Sequence, residues 1–164
     1  MPYYTTQSQI GVDLNNTSTT ALFTLNSKVQ GTGNSEWSYV YASGAFNTGN
    51  MVAILNNGTA YPCTQGHLSN NAVMLGFAQG NFAAGDYGWV PTRGEGLTVA
   101  CSGTAPTNAT LFLTTTTSGG LTTVAGACTM AGIQLLASAS TSSLVLTTAT
   151  VTWPRCINVT FGTT

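Results

Sequence analysis

Residues 51–63, MVAILNNGTAYPC, contain the clearest secondary-structure signal in the chain and decide its fold class. Met51 to Leu55 is a compact apolar run, and Thr59 to Cys63 is a second strand-like run. The Asn57-Gly58 pair between them is the strongest short signal for a hairpin, because both residues tolerate the positive φ angles of a tight turn. We therefore predict an antiparallel β-hairpin at this position.

Further strand-length runs occur on both sides of the hairpin, spaced by roughly ten residues, and helical periodicity is absent. This pattern predicts an all-β fold, a β-sandwich or barrel of about ten short antiparallel strands. Pro91 should place the run 87–91 at a strand end or edge, because proline cannot donate a ladder hydrogen bond. The other predicted strands are 21–25, 36–41, 72–79, 97–101, 109–114, 121–124, 133–137, 144–153 and 156–161.

The longest strand-like run covers Val145 to Trp153. Its residues are mostly small or β-branched and none is charged. Such a run is typical of a strand that is paired on both sides or buried against a neighbouring subunit.

Charged residues are scarce: they make up 4% of the chain, against about 25% in an ordinary domain. Threonine, serine, asparagine and glycine take their places. Because 43% of the residues are hydrophobic and the net charge is −1, we expect a folded chain and not a disordered one. A surface with so little charge does not resist association. We therefore expect the protein to assemble with other proteins and with copies of itself, a trimer being one candidate homo-oligomer.

The cationic residues are Lys28, Arg93 and Arg155. Three scattered cations cannot neutralise several phosphates, so we expect no nucleic-acid binding and no binding to an anionic membrane.

The chain divides into an extended N-terminal arm, residues 1–16, and a single all-β domain, residues 17–164. The arm has little hydrophobic periodicity, and the first residues lack the basic and apolar regions of a signal peptide. The longest uninterrupted apolar run is far shorter than the ~20 residues of a membrane-spanning helix. We expect synthesis in the cytoplasm.

Residues suited to catalysis are few. His67 is the only histidine, and the carboxylates are Asp13, Glu36, Asp86 and Glu95. We expect His67 to be an ordinary loop residue, and we expect Arg93 to form a salt bridge with Asp86 or Glu95 in a small polar cluster. We predict no enzymatic activity, no catalytic residue, no cofactor and no metal site.

The four cysteines, at positions 63, 101, 128 and 156, are too far apart for a zinc motif or a redox pair. Buried free thiols are the simplest interpretation. One or two disulfides remain open if the protein meets an oxidising exterior.

Aromatic residues raise the question of a carbohydrate platform. Trp37, Tyr39 and Tyr41 alternate with other residues, which places all three on one face of a strand. Packing in the core or at an interface is the favoured interpretation, and ligand stacking is the alternative.

One segment resembles a known family. It runs Gly76-Phe77-Ala78-Gln79, then Ala83-Ala84-Gly85-Asp86-Tyr87-Gly88-Trp89-Val90, then Gly94. This glycine and aromatic spacing is similar to that of tailed-bacteriophage capsid decoration (cement) proteins. The hairpin region Gly49 to Ala60 and the stretch Leu111 to Gly126 resemble the flanking parts of the same pattern. The cysteines and the C-terminal Pro154-Arg155-Cys156 depart from it.

The resemblance implies a β-rich protein that binds the outer surface of a phage head between major capsid protein subunits and stabilises it. It would be made in the bacterial host cytoplasm and reside on the virion capsid surface. The residues assigned to the structural motif are Gly85, Tyr87, Gly88, Trp89 and Arg93. The residues assigned to a capsid-contact arm are Pro2, Tyr3, Tyr4 and Thr5.

Two other functions stay open. One is a carbohydrate- or receptor-binding β-module of a phage tail or fibre, which would bind glycan through Trp37 or Trp89. The other is a secreted hydrolase, which would depend on His67.

Overall fold

The computed structural model describes residues 12–69, 74–114, 119–125 and 128–159. Within these ranges the chain forms ten strands and one five-residue helix, so the all-β prediction is confirmed. The helix, α1, was not expected, and no helix in the described ranges is long and apolar enough to cross a membrane. The elements in chain order are β1 (Lys28–Gly31), β2 (Ser35–Ala42), β3 (Met51–Ile54), β4 (Thr59–Pro62), α1 (Gln65–Ser69), β5 (Met74–Phe77), β6 (Tyr87–Ala105), β7 (Leu111–Leu113), β8 (Leu121–Thr122), β9 (Cys128–Leu135) and β10 (Ala139–Val159).

The strands form one continuous sheet in the order β10-β9-β7-β8-β6-β2-β4-β3-β5, with β1 added to β2. Strand β10 also pairs with β6, which closes β6, β8, β7, β9 and β10 into a ring. This half of the molecule is therefore a small barrel. The other half extends from the first part of β6 as an open sheet that ends at β5.

The predicted hairpin is present. Strands β3 and β4 pair antiparallel, with Ala53 opposite Tyr61, and Gly58 in the turn has a φ of 80°. Most other pairs are antiparallel as predicted, but β2 pairs parallel with β4 and β6 pairs parallel with β8.

Two strands are far longer than predicted. Strand β6 has 19 residues and β10 has 21, and they pair with each other from Ala105 to Arg93. The run from Val145 to Trp153 lies inside β10, where Ala149 pairs with Leu97 of β6 and with Leu135 of β9. The prediction that this run is paired on both sides is confirmed at its centre, where Ala149 and Val151 have partners in both β6 and β9; Val145 to Thr147 pair with β6.

Pro91 was predicted to lie at a strand end or edge, and the strand-end alternative is wrong, because Pro91 lies inside β6. It pairs with Trp37 of β2, while the pairing between β6 and β10 extends only to Arg93. At Pro91, β6 therefore has a ladder partner on one side only, which is β2. A proline is tolerated here because β10 does not pair with this part of β6, so the proline interrupts no ladder on that side.

The predicted strand at 21–25 is also wrong, since these residues form no strand. Leu22 is 67% exposed, and its backbone N–H donates to the Tyr39 hydroxyl at 3.0 Å. The Phe23 ring lies 5.2 Å from the Tyr39 ring. The segment packs on the aromatic side chains of Tyr39 and Trp89 instead of pairing as a strand.

The core has three parts. The largest lies in the barrel and extends to β3 and β5 of the open sheet. A second lies beneath β2, β3 and β4, and a third is aromatic and includes Trp37, Tyr39 and Trp89. Leu14, which falls in the arm predicted for residues 1–16, is 2% exposed and packs into the aromatic part. The proposed contact residues Pro2 to Thr5 lie outside the described residues.

Candidate binding surfaces

The glycine and aromatic motif builds the entry to β6. The Asp86 carboxylate accepts a hydrogen bond from the Ala83 N–H at 2.8 Å, which stabilises the turn that precedes the strand. Gly85 in this turn has a φ of 97°. At Gly88 a Cβ atom would stand 2.7 Å from the Phe82 ring, so only glycine lets that ring cover the strand. These residues therefore have folding roles.

Gln79 of the same motif joins the end of β5 to β6. Its side-chain Nε2 donates to the Thr98 carbonyl at 3.0 Å, and its Oε1 accepts from the Thr98 N–H at 2.9 Å. The amide thus replaces a backbone partner for Thr98, which explains why a glutamine occupies this position.

The aromatic face predicted for β2 is buried in the core. Trp37 is fully buried, and Tyr39 and Trp89 are 2% and 3% exposed. The Trp37 Nε1–H donates to Ser35 Oγ at 2.7 Å, and the Tyr39 and Trp89 rings lie 5.0 Å apart. Tyr41 is half-buried against Tyr87. Neither Trp37 nor Trp89 has a free ring face for a glycan.

The expected polar cluster around Arg93 does not form. Arg93 Nη2 donates to Asn34 Oδ1 at 2.7 Å, and the ion pair found in the described ranges joins Lys28 to Glu36 at 2.7 Å. Asp86 lies seven residues before Arg93 along an extended strand, which separates them by roughly 23 Å. The carboxylate of Asp86 is used instead in its own turn.

His67 belongs to the short helix and is held locally. Its Nδ1 accepts from the Thr64 N–H at 3.3 Å, and its ring stacks on Tyr61 at 5.1 Å. Among the residues that the structure describes, no group of three or more His, Cys, Asp or Glu side chains could hold a metal ion.

Two of the four cysteines are paired, so the interpretation of four free thiols is wrong. Cys128 and Cys156 form a disulfide between β9 and β10, with their Cα atoms 5.8 Å apart. Cys63 and Cys101 are free and buried. Burial raises the pKa of the Cys63 thiol to about 12 and also raises the pKa of Cys101, so neither is a reactive thiolate at neutral pH.

Exposed leucines mark the outer surface of the barrel. Leu146 is 58% exposed, Leu136 is 52% exposed and Leu144 is 38% exposed. Leu144 and Leu146 alternate with Val145 and Thr147 along β10, and the Leu136 N–H donates to the Thr148 carbonyl at 2.8 Å. Paired residues point to the same side of a sheet, so the three leucines share one face. We call Leu136, Leu144 and Leu146 the leucine face.

A groove beside Trp153 is the second exposed feature. Trp153 is 56% exposed, has a φ of 46°, and packs against Arg93, whose guanidinium carbon is 4.9 Å from the ring centre. The groove has a volume of about 390 Å³. Its other lining residues are Asn26, Lys28, Ile54, Leu55, Asn56 and Met74. We call it the Trp153 groove.

Neither surface was identified from the sequence. Trp153 was assigned only to the end of a strand-like run, and its two-residue alternation with Val151 predicts an inward side chain. A register shift between Val151 and Arg155 changes that alternation and turns Trp153 outward. The Trp153-Pro154 pair is the one local signal for such an irregularity.

Comparison with protein-family models, with curated proteins and with solved structures finds no match to this chain.

Proposed function

We propose that this protein is a structural decoration protein that binds the outer surface of a tailed-phage head between major capsid protein subunits. The observation that carries the proposal is the leucine face, an exposed apolar patch on a chain with only seven charged residues. The resemblance of the segment 76–94 to capsid decoration proteins supports the choice of partner.

The leucine face has the chemistry of a protein-binding surface. Leu136 and Leu146 are both more than half exposed. Leu146 lies on the paired strand β10, and Leu136 follows the end of β9, where its N–H donates to the Thr148 carbonyl. Covering a leucine side chain contributes about 1.5–3 kcal/mol, so two or three of them could anchor a contact. An anchored apolar patch on a rigid barrel needs little reorganisation upon binding.

The scarcity of charge fits repeated attachment to a lattice. Surfaces rich in threonine and asparagine form wet, hydrogen-bonded contacts that carry little long-range repulsion between neighbouring copies. Weak contacts of this kind gain from the many identical sites on a shell. Self-association as a homo-oligomer, with a trimer as the candidate, is part of the same proposal.

The test is attachment to expanded heads of a tailed phage that carries this protein, prepared with and without it. Binding to the assembled shell stabilises the shell by about 2.7 kcal/mol per site at a hundredfold excess over Kd. Decorated heads should therefore melt at a higher temperature than bare heads, and free capsid subunits should bind much more weakly. Equal melting together with no added density on imaged heads would refute the role.

Substitutions can locate the contact. Leu136→Asp should weaken attachment about tenfold or more, because it places a charge in the apolar contact. Leu22→Asp is the matched control, since Leu22 is 67% exposed and lies outside the leucine face. Deletion of residues 1–10 should also weaken attachment without unfolding the domain, as expected for an arm that lies along a neighbouring subunit.

The alternative is a carbohydrate- or receptor-binding module of a phage tail or fibre. Burial of Trp37 and Trp89 argues against the glycan site that the sequence suggested. Trp153 is an exposed aromatic residue that could serve such a role.

A further inference from the structure

We propose that the Trp153 groove is a saccharide-binding site that prefers sugars carrying a carboxylate group. This activity is separate from the capsid role and does not depend on it. The exposed indole, the strained backbone that presents it and the nearby cations support this assignment.

The indole of Trp153 is held ready for a ligand. It is 56% exposed, while the other two tryptophans are buried. The Arg93 guanidinium packs on the ring, and Arg93 is itself fixed by its hydrogen bond to Asn34. A fixed ring loses little side-chain entropy upon binding. Its electron-rich face attracts the weakly positive C–H groups on one side of a sugar ring.

The strained backbone at Trp153 helps to hold the indole in its exposed position. Trp153 has a φ of 46°, a conformation that costs a residue with a Cβ atom about 1–2 kcal/mol. The strain lies in the irregular region of β10, where the register against β9 shifts. Strained residues persist where the surrounding structure enforces them, and they concentrate at binding sites.

Two of the three cations lie at the groove, and the third follows Trp153 by two positions in the chain. Lys28 lines the groove, Arg93 packs on Trp153, and Arg155 is an exposed residue two positions beyond Trp153. The nearby carboxylates are Glu36, which is paired with Lys28, and Glu95, which lines the neighbouring cleft with Arg93. One net positive charge remains here, although the whole chain carries −1. This favours an anionic ligand over a neutral one.

The remaining lining suits a sugar. The half-buried side chains of Leu55 and Met74 offer an apolar wall. Asn26 and Asn56 offer amide groups that donate and accept hydrogen bonds. A volume of about 390 Å³ lies within the range of ~300–1,000 Å³ that is usual for small-molecule sites. An apolar wall with a few polar groups is the usual composition of such sites.

Tryptophan fluorescence provides a direct test. Acrylamide should quench mainly Trp153, because Trp37 and Trp89 are buried. We expect trigalacturonate, an acidic trisaccharide, to protect Trp153 from quenching, and the neutral trisaccharide of N-acetylglucosamine to protect it more weakly. Failure of trigalacturonate to protect the indole would overturn the proposal, and tighter binding of the neutral sugar would overturn the assigned charge preference.

Calorimetric titration of variants completes the test. Trp153→Ala should lower the affinity for trigalacturonate about tenfold, the change expected for a lost aromatic contact, and Trp153→Tyr should restore part of it. Lys28→Gln should lower the affinity for trigalacturonate and leave the affinity for the neutral trisaccharide unchanged. Leu136→Ala is the control and should bind like the unchanged protein, because Leu136 is exposed but does not line the groove. Equal affinity in Trp153→Ala, in a variant that melts normally, would refute the site.

Discussion

Gly132 of β9 lies directly against Thr152 of β10: a Cβ atom at position 132 would stand 2.5 Å from the Thr152 carbonyl oxygen. Gly132 also has a φ of 79°. The absence of a side chain here lets the irregular segment of β10 approach β9, and this segment carries Trp153. Gly132 is thus part of the arrangement that exposes the indole.

Gly132→Ala should reduce the free energy of unfolding by about 2–4 kcal/mol, because it combines a left-handed backbone conformation with a backbone clash. Gly96→Ala is the matched control, since Gly96 has a φ of 70° but open space around its Cβ position. Gly96→Ala should cost only about 1–2 kcal/mol. Chemical denaturation of both variants measures the difference, and equal losses would mean that the close approach has no energetic role.

Trp89→Ala should reduce the free energy of unfolding by about 3–5 kcal/mol, because it leaves a cavity among Tyr39, Trp37 and their neighbours. Trp153→Ala should cost less than about 1 kcal/mol, since its side chain is largely exposed. The two variants remove the same side chain, so thermal or urea melts compare burial directly. A loss below 1 kcal/mol for Trp89→Ala would contradict the core role.

Reduction of the Cys128–Cys156 disulfide should lower stability by about 2–4 kcal/mol, because the bond closes a loop of 28 positions and restricts the unfolded chain. Adding a reductant during urea unfolding measures this loss. The Cys128→Ser/Cys156→Ser double variant should show the same loss and no further response to reductant. A response in that variant would show that Cys63 or Cys101 also forms a disulfide.

Ser38 and Ser35 form a second matched pair. Both are fully buried, but Ser38 Oγ has no hydrogen-bond partner, while Ser35 Oγ accepts from Trp37 Nε1. Ser38→Ala should leave stability unchanged or raise it by about 1 kcal/mol, and Ser35→Ala should lower it by about 1–3 kcal/mol. Equal losses at both positions, measured by urea unfolding, would contradict this assignment.

Alkaline pH should destabilise the protein through Cys63. Burial raises the pKa of this thiol from 9.0 to about 12 in the folded state, so the folded chain keeps the proton longer than the unfolded chain. The resulting stability is complete below pH 9 and is lost as the pH rises toward 12. Cys63→Ala should flatten the fall in melting temperature between pH 9 and 11. An unchanged slope would mean that other groups cause the loss.

The sequence by itself determined the local elements. The Asn57-Gly58 turn predicted the β3–β4 hairpin, because turn geometry depends on the φ preferences of two adjacent residues. The lack of charge and the β-branched residues of Val145 to Trp153 predicted a strand that is paired on both sides or buried against a neighbouring subunit, and the centre of the run is paired on both sides. These features depend on residues that are close together in the chain, so the pattern of residue types in the sequence is enough to predict them.

Only the tertiary structure decided which residues pair across long distances and which faces stay exposed. The Cys128–Cys156 bond and the β6–β10 pairing depend on where distant segments meet. The spacing of residues in the sequence does not predict those meeting points. Alternation places Leu144 and Leu146 on one face but does not say whether another element covers it. At Trp153 a register shift of β10 against β9 reverses the alternation itself, so the residue that periodicity would bury becomes the exposed aromatic side chain of the groove.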